Sequence, residues 1–462
     1  MKIAFVVPPA LPNGQFIAAE DCCGSAGTGR LLPAGILAMA NESRLAGHEV
    51  QYFDASIEPV NLTGFDAVVF TILWHYHDKT MAAMTPIIKD IPIKVAWSIP
   101  HGYAEDYAKL YPMLSFVVYS EPEMVIPSLP LSRRDYGCAW LSATAGIKWQ
   151  DGGAMHGGGY NPTCIDKLRP IDYDGLVPTR YWKHYTQTAY QVTRGCPYRC
   201  IFCMWGGSTV TDRTFKMRRP EVVAEDIEKI RRLSNGKIVL YLLAAQLTTD
   251  LKWLKRFCAL VEDDPWTWRS NVNLVELTNE KMDLLKRAGM VQAVAGLEAL
   301  TDKTLAMINK AHTFKQAVKG IKVLEKSGIP YRLHLRCGFG ETEQDVTESL
   351  ANLKVLSGLM TRGQVDLGPL IYYRGTEIER DRTWPAIDHP GFDISCPMMK
   401  DLPMGWANFA SEAARMKLLN KRGVKGFSLD WIREYGKCVS GWCPVTSTPR
   451  SRSRRRGRRA SK

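Results

Sequence analysis

The sequence lacks a long hydrophobic run. Its longest apolar stretch, residues 238–245, is far shorter than the roughly 20 residues of a membrane helix, so a membrane-spanning protein is excluded. The apolar run within Met1 to Pro9 is also too short for a secretory signal peptide. We therefore expect a soluble, cytoplasmic protein whose 12 cysteines stay reduced.

Acidic residues are fewer than basic ones, which gives a net charge of +13. The last 13 residues alone contribute eight positive charges, at Arg450, Arg452, Arg454, Arg455, Arg456, Arg458, Arg459 and Lys462. Like charges among Ser and Gly cannot bury apolar surface, so we predict a disordered basic tail over 447–462, starting near Val445. The tail could contact nucleic acid, but a solvated appendage without a function explains it equally well.

Three cysteines stand close together, and a fourth does not follow. Cys196, Cys200 and Cys203 occupy the run Thr193-Arg194-Gly195-Cys196-Pro197-Tyr198-Arg199-Cys200-Ile201-Phe202-Cys203. A closed structural metal site needs four protein ligands, whereas an iron-sulfur cluster held by three leaves one iron open for chemistry. A zinc site is the alternative, but it would require a second Cys-x2-Cys pair or a well-spaced histidine.

The length of 462 residues exceeds what one core usually organises, so two or three domains are expected. Over residues 1–130, short apolar strands alternate with helical stretches such as residues 35–46, which is typical of a doubly wound, Rossmann-like α/β domain. Ligands of such sheets lie beyond the carboxyl ends of the strands. The candidate binding residues there are Pro9, Asp54, Pro100 and His101, with the Thr71 region between them.

Residues 131–185 show no sustained periodicity and are predicted to be a connector. From residue 186 to 380 a second alternation has six strands, which predicts a partial (β/α)6 barrel with its site at the carboxyl ends of the strands. The cysteine run follows the first of these strands and would lie at that mouth. Residues 381–446 are expected to form a small, mostly helical C-terminal region.

Polar side chains alternate with apolar ones in the fifth strand of this barrel. Arg332, His334 and Arg336 share one face, so we predict that they point into the lumen, where one of them could bind a carboxylate. Gln246, Arg269 and Asn271 have the same status. The alternative for each is a charged or polar group satisfied by neighbouring strands without any ligand.

The spacing of the three cysteines, with Phe202 before the last, resembles the signature loop of the radical S-adenosylmethionine (SAM) enzymes. Further segments across residues 186–380 resemble the same superfamily: Gly296-Leu297-Glu298, Ile308-Asn309-Lys310, Gly338-Phe339-Gly340-Glu341-Thr342 and Gly375-Thr376.

The resemblance implies a site chemistry. Cys196, Cys200 and Cys203 would hold a four-iron four-sulfur cluster, and SAM would chelate its fourth iron and yield a 5′-deoxyadenosyl radical. Phe202 would lie near the adenine, and Glu298 would bind the ribose hydroxyls. An electron donor such as flavodoxin or ferredoxin would be a partner, and the substrate would be a small molecule or peptide.

The N-terminal domain resembles the cobalamin-binding domain that precedes the barrel in one large group of these enzymes, which includes methylases and a porphyrin ring cyclase. The resemblance rests on residues 31–37, 46–50 and Asp54, and it implies a methylcobalamin between the two domains. Two turns depart from the group: Gly-Gly-Pro-His is replaced by residues 98–101, and Gly-Glu-Gly-Glu by residues 120–123. Side chains there would crowd a flat ligand unless the loops are rebuilt.

The leading hypothesis is therefore a cobalamin-dependent radical SAM C-methyltransferase. A radical cyclase, oxidoreductase or rearrangement enzyme without functional cobalamin is the second, and a metal-stabilised nucleic-acid-binding protein is the non-enzyme alternative. Scattered cysteines outside the run, namely Cys396, Cys438 and Cys443, are expected to be free thiols.

Overall fold

The computed structural model describes residues 1–10, 30–73, 77–99, 101–161, 164–206, 214–337, 339, 343–369 and 375–380. The predicted C-terminal region (381–446), the basic tail and Cys396, Cys438 and Cys443 lie outside these residues. None of the described helices combines the length and apolar character that a membrane crossing requires.

The described chain contains 16 strands and 13 α-helices. The strands are β1 Lys2–Val7, β2 Arg30–Leu32, β3 Glu49–Asp54, β4 Ala67–Leu73, β5 Ile93–Ile99, β6 Phe116–Val118, β7 Ile147–Asp151, β8 Ala154–Gly157, β9 Tyr185–Gln191, β10 Thr193–Arg194, β11 Lys216–Met217, β12 Val239–Leu243, β13 Trp268–Val272, β14 Met290–Glu298, β15 Tyr331–Cys337 and β16 Gly363–Pro369. The helices are α1 Ala34–Leu45, α2 His77–Ile88, α3 Ala104–Leu110, α4 Pro122–Val125, α5 Cys138–Ala143, α6 Tyr173–Leu176, α7 Pro220–Ser234, α8 Leu251–Val261, α9 Asn279–Arg287, α10 Asp302–Met307, α11 Phe314–Ser327, α12 Glu343–Leu359 and α13 Glu377–Arg380.

The first sheet has the order β3-β1-β4-β5-β6-β7-β8. Its first five strands are parallel and follow the doubly wound 2-1-3-4-5 pattern, with apolar residues on both faces. The predicted N-terminal α/β fold is therefore confirmed. The sheet continues past residue 130, because β7 and β8 form an antiparallel hairpin on β6, within the segment that was predicted to be a connector.

The second sheet has the order β16-β15-β14-β13-β12-β9-β2, and every adjacent pair is parallel. The six predicted barrel strands are present, and the described part of the barrel is open between β16 and β2. One strand of this second sheet was not predicted. β2 comes from the N-terminal region and adds to the barrel edge beside β9.

Local signals explain where the barrel helices begin and end. α7 starts with Pro220 in its first turn and ends at Asn235, which adopts a left-handed conformation with φ of 52°. α11 begins with a reciprocal capping box between Thr313 and Gln316 and ends at Gly328. These helices bury one apolar face each against the outer face of the sheet, which leaves the opposite face for the lumen.

One hydrophobic core spans both sheets. It contains β1 residues, most of α1 and the outward residues of the barrel strands, including Phe5, Leu37 and Tyr190. The α1 face of the first sheet is therefore the face that packs on the barrel. A second core, around Phe70 and Tyr107, covers the opposite face of the first sheet.

Candidate active site

The cysteine loop follows β9 of the barrel sheet and the short strand β10, which pairs with β11 in a separate two-stranded sheet. Cys196 and Cys200 are buried, with 7% and 8% of their surface exposed, and Cys203 is half-buried. A turn brings the last two together, since the amide of Cys203 donates to the carbonyl of Cys200 at 3.0 Å. The loop thus presents three thiols at the carboxyl ends of the barrel strands, where the sequence placed them.

Burial raises the pKa of all three thiols, that of Cys203 to about 12. The nearby Lys310 ammonium opposes this shift at Cys196 and Cys200, and Gln246 hydrogen-bonds to Cys196. Thiols must lose their protons to bind a metal, and a cation beside them favours the thiolate form that does so.

A compact group of possible metal ligands occurs elsewhere among the described residues. The ligand atoms of Glu121, Glu123 and Cys164 all lie within 4.8 Å of one another.

Two glycines shape the start and end of the loop. Gly195 has φ of +68°, and a Cβ there would overlap the carbonyl oxygen of Thr214. A Cβ at Gly206 would overlap the carbonyl oxygen of Tyr198. Both positions exclude any larger residue, because the chain folds back on itself around the thiols.

Side chains and backbone from the barrel fix the middle of the loop. Tyr198 donates its hydroxyl to Glu276 at 2.5 Å, and Thr248 donates to the other oxygen of that carboxylate at 3.1 Å. Asn309, in a left-handed conformation, donates its amide to the carbonyl of Arg199 at 2.9 Å. The sequence had not indicated Tyr198 or Glu276 as site residues, because their contact is between distant segments.

Glu298 stands at the end of β14 with an uncommon backbone conformation. Its φ is +66°, and the pairing of β14 with β15 shifts register between Gly296 and Glu298. The bulge directs the carboxylate toward Lys310, whose ammonium lies 3.4 Å from Glu298 Oε1. A Cβ at Gly296 would overlap that carboxylate. The first position of the Gly296-Leu297-Glu298 segment therefore requires glycine for steric reasons.

Lys310 interacts both with the Glu298 carboxylate and with thiols of the cysteine loop. Burial alone would lower the pKa of its ammonium, but Glu298 and the thiols of Cys200 and Cys203 outweigh that effect and raise the pKa. The lysine therefore stays charged between the proposed cluster ligands and Glu298. The sequence motif containing Lys310 was recognised, but no role had been assigned to this side chain.

His312 lies behind this pair. It is 8% exposed, and its Nε2 atom has no hydrogen-bond partner among the described residues. Burial and the Lys310 charge lower its pKa to about 4, so the imidazole is neutral at physiological pH. The sequence did not single out this histidine.

Phe202 occupies an apolar patch beside the loop. Its ring centroid lies 5.7 Å from that of Phe339, and it packs against a cluster that includes Ile201 and Ile308. This surface suits the proposed adenine neighbour, although contact with a ligand stays a prediction.

The barrel lumen has the polar lining that strand alternation predicted. Leu333 and Leu335 lie in the core, while Arg332, His334 and Arg336 are only partly buried on the opposite face of β15. On β13, the Arg269 guanidinium lies 5.1 Å from the ring centroid of Tyr241, whose hydroxyl donates to Asn271 at 2.8 Å. Of the predicted lumen residues, Gln246 is the one whose hydrogen bond to the Cys196 thiol is described.

The residues predicted to bind a ligand at the first sheet differ in their burial and in their contacts. Asp54 is fully buried and accepts hydrogen bonds from the Ser56 amide at 2.9 Å and the Tyr185 hydroxyl at 3.1 Å. Its carboxylate thus joins the interface between the two sheets. Pro9 follows β1 and is half-buried. Pro100 and the side chain of His101 lie outside the described residues.

A family comparison decides what this arrangement is. The profile of the Radical SAM superfamily matches residues 190–353, which include the cysteine loop, Glu298, Lys310 and β15. The chain contains a radical SAM domain. The recognition made from the cysteine spacing is confirmed, and the domain implies a four-iron four-sulfur cluster and SAM as cofactors.

Curated relatives of this radical SAM chain include two pigment enzymes. The anaerobic magnesium-protoporphyrin IX monomethyl ester cyclase of Cereibacter sphaeroides is 25% identical over 259 residues, which are 52% of this chain and 40% of that protein. The bacteriochlorophyllide d C-8(2)-methyltransferase of Chlorobaculum tepidum is 28% identical over 149 residues, 30% of this chain and 32% of that protein. The chain spans less than half the length of these two relatives.

Two solved structures share the overall layout of this radical SAM protein. The radical SAM methyltransferase TsrM from Kitasatospora setae superposes with a TM-score of 0.63 and 13% identity, covering 82% of this chain and 74% of that chain. The cobalamin-dependent SAM radical enzyme OxsB superposes with a TM-score of 0.67 and 12% identity, covering 91% and 67%. At such identities the likeness shows the fold, and it confirms the predicted α/β domain followed by a partial barrel.

Proposed function

We propose that this radical SAM enzyme is a cobalamin-dependent C-methyltransferase of a small molecule or peptide. The observation that carries the proposal is the doubly wound first sheet, whose α1 face packs on the radical SAM barrel in one continuous core. The two solved structures with this layout are, by their names, a radical SAM methyltransferase and a cobalamin-dependent SAM radical enzyme.

For the cluster, we propose Cys196, Cys200 and Cys203 as ligands. When bound, the cluster supplies one electron, which cleaves SAM and yields the 5′-deoxyadenosyl radical. The Lys310 ammonium provides a fixed positive charge for carboxylate groups, Glu298 offers oxygens to ribose hydroxyls, and Phe202 offers an apolar wall to adenine. An external electron donor such as flavodoxin or ferredoxin must reach the site.

Two observations at the carboxyl edge of the first sheet support the binding of cobalamin there. Thr71 and Trp97 are direct neighbours on β4 and β5, and Thr71 Oγ1 and Trp97 Nε1 are buried without a hydrogen-bond partner among the described residues. Buried polar atoms are normally paired, so a ligand with hydrogen-bonding groups would satisfy them. When bound, cobalamin supplies the methyl group.

The surrounding structure also accommodates one of the two altered glycine turns, residues 120–123. Ser120 turns its hydroxyl toward Asn161, whose amide donates to it at 2.8 Å, and a Cβ at Gly146 would overlap the Ser120 side chain. A glycine at residue 146 thus provides the space that Ser120 takes. The loop is rebuilt, and the serine need not crowd a flat ligand.

Anaerobic reconstitution with iron, sulfide and cobalamin tests the proposal. We expect about four irons per chain, a reduced-cluster electron paramagnetic resonance (EPR) signal that changes on SAM addition, and a corrinoid that stays bound through desalting at micromolar protein. Replacing the three loop cysteines with Ala should abolish the cluster, while Cys138→Ala, at an exposed thiol, should not. Protein that keeps the cluster but retains no corrinoid would contradict the methyltransferase.

A radical cyclase or oxidoreductase is the second candidate, and the 25% identity to a cyclase favours it. The two reactions differ in product mass, because methylation adds one CH2 unit whereas ring closure or oxidation removes hydrogen. The test is to incubate porphyrin-type and peptide substrates with reconstituted protein and reductant. The product masses, measured by mass spectrometry, distinguish the two candidates.

A further inference from the structure

The first sheet and the cysteine loop meet at a buried group of charges that the proposed chemistry does not use. We name it the arginine clamp: Arg194 from β10, with Glu121 just before α4 and Glu123 within α4. The three side chains are 9%, 3% and 0% exposed. Buried charges are expensive unless fully paired, so such a group requires an explanation.

The pairing in the clamp is close to complete. Arg194 Nη1 donates to both Glu121 and Glu123, and Nη2 donates to the other oxygen of Glu123 at 2.6 Å. Arg194 Nε donates to the Gln191 side chain at 3.0 Å. Glu121 also accepts from the Cys164 amide at 3.0 Å. This satisfied arrangement accounts for the compact group of Glu121, Glu123 and Cys164 without a metal ion, because Arg194 supplies the cation.

The electrostatics agree with this geometry. Burial pushes the pKa of Glu123 upward, but the charge and hydrogen bonds of Arg194 more than offset it, and the net pKa lies below its usual range. Glu123 is thus a buried carboxylate that stays charged because of Arg194. Arg218, itself 3% exposed, adds a second positive charge nearby.

The chain between Arg194 and the first thiol is stiff. Arg194 pairs with Lys216 in the short β10–β11 ladder, and Gly195 is in a left-handed conformation without room for a side chain. Cys196 follows immediately. A shift of the Arg194 backbone would therefore reach Cys196, because only Gly195 lies between them.

We propose that Arg194 is a positioning residue, and that its pairing with Glu121 and Glu123 sets where Cys196 stands relative to the N-terminal domain. This proposal rests on the proposed role of Cys196 as a cluster ligand. It gives Glu121 and Glu123 a function that the sequence resemblance did not: both carboxylates accept hydrogen bonds from Arg194, two residues before Cys196.

A charge-neutral variant tests the proposal without leaving a buried charge unpaired: Arg194→Met with Glu121→Gln and Glu123→Gln. Removing all partners together is tolerated far better than removing one. We expect wild-type iron content, an altered SAM-induced change in the EPR spectrum, and 5′-deoxyadenosine formation per cluster reduced about 10- to 100-fold with excess dithionite, since small misplacements of reacting groups have effects of this size.

Two further variants make the outcome decisive. Arg194→Lys keeps the charge but loses the two-pronged geometry, and should show a smaller change of the same kind. The control is Arg180→Met with Glu58→Gln, an ion pair whose arginine side chain is 62% exposed and whose two residues lie outside the cysteine loop. It should behave as the wild type.

The proposal is overturned if the neutral variant keeps the wild-type SAM-induced signal and a 5′-deoxyadenosine rate within about twofold of the wild type. Should that variant fail to fold, Arg194→Lys decides: loss of iron alone, with unchanged values per cluster, means a purely structural role and also overturns it. Absence of a SAM-responsive cluster in the wild type would instead reject the proposed cluster ligands.

Discussion

At the scale of single residues, the site is organised around a few buried charges. Lys310 contacts Glu298 and lies near the thiols, and Arg194 lies two residues before Cys196. The thiols could be predicted from the sequence because their spacing is local. The roles of Lys310, Arg194 and Glu276 could not, because each depends on a partner at least 12 residues away along the chain.

His312 gives this network a pH dependence. Its pKa is about 4 in the folded protein against an ordinary value of 6.5, so the unfolded chain binds more protons between these values and stability falls as the pH drops from 6.5 toward 4. From pH 7.5 to pH 5 this difference in proton binding is worth about 2 kcal/mol. His312→Gln should remove that share of the loss.

Urea unfolding of iron-free protein at the two pH values measures the effect, with cluster loss excluded. The exposed His156 provides the control, and His156→Gln should keep the wild-type dependence on pH. An identical loss of stability in wild type and His312→Gln would show that His312 is not held neutral by its surroundings.

At the scale of secondary structure, the long strands followed from apolar runs, and the short ones did not. β4 is buried along its whole length, and its sequence alone predicts it. β2 has three residues, and it is a strand only because β9 offers a free edge. β7 and β8 lie in a glycine-rich segment, where the hairpin depends on pairing with β6.

The β14 bulge is the element on which the carboxylate site depends. In Gly296→Ala the new Cβ would overlap the Glu298 carboxylate and displace it from Lys310. Loss of a charged hydrogen bond is worth about 1.5–3 kcal/mol, so we expect SAM to bind about 10- to 100-fold more weakly. Equilibrium dialysis with the reconstituted protein measures the Kd.

A matched glycine in α12 serves as the control. A Cβ at Gly358 meets nothing within 4 Å, so Gly358→Ala should leave SAM binding unchanged and raise helix stability by about 0.5–1 kcal/mol. If Gly296→Ala binds SAM as tightly as Gly358→Ala does, Glu298 does not contact the ligand.

At the scale of the whole molecule, the two halves are joined by one core and by buried hydrogen bonds. The Tyr185 hydroxyl, at the start of the barrel, donates to Asp54 at the end of β3, and lies 2.8 Å from the hydroxyl of Tyr52. Sequence analysis predicted an N-terminal α/β domain and a barrel, separated by a connector. It could not predict their union, because β2 and α1 follow each other in the chain but serve different sheets.

Because β2 joins the halves, a change there should loosen both. Leu32 is fully buried, and its carbonyl accepts from the Thr188 hydroxyl at 2.9 Å. We expect Leu32→Ala to lower the free energy of unfolding by about 2–5 kcal/mol and to speed amide exchange in β1 and β12 by similar factors, since both sheets would open together.

Hydrogen exchange followed by mass spectrometry reports each strand separately. Leu131→Ala, at a side chain that is 61% exposed, should change exchange in neither strand. Faster exchange in β12 with β1 unchanged would mean that the halves open independently, and that the cysteine loop does not depend on the first sheet for its position.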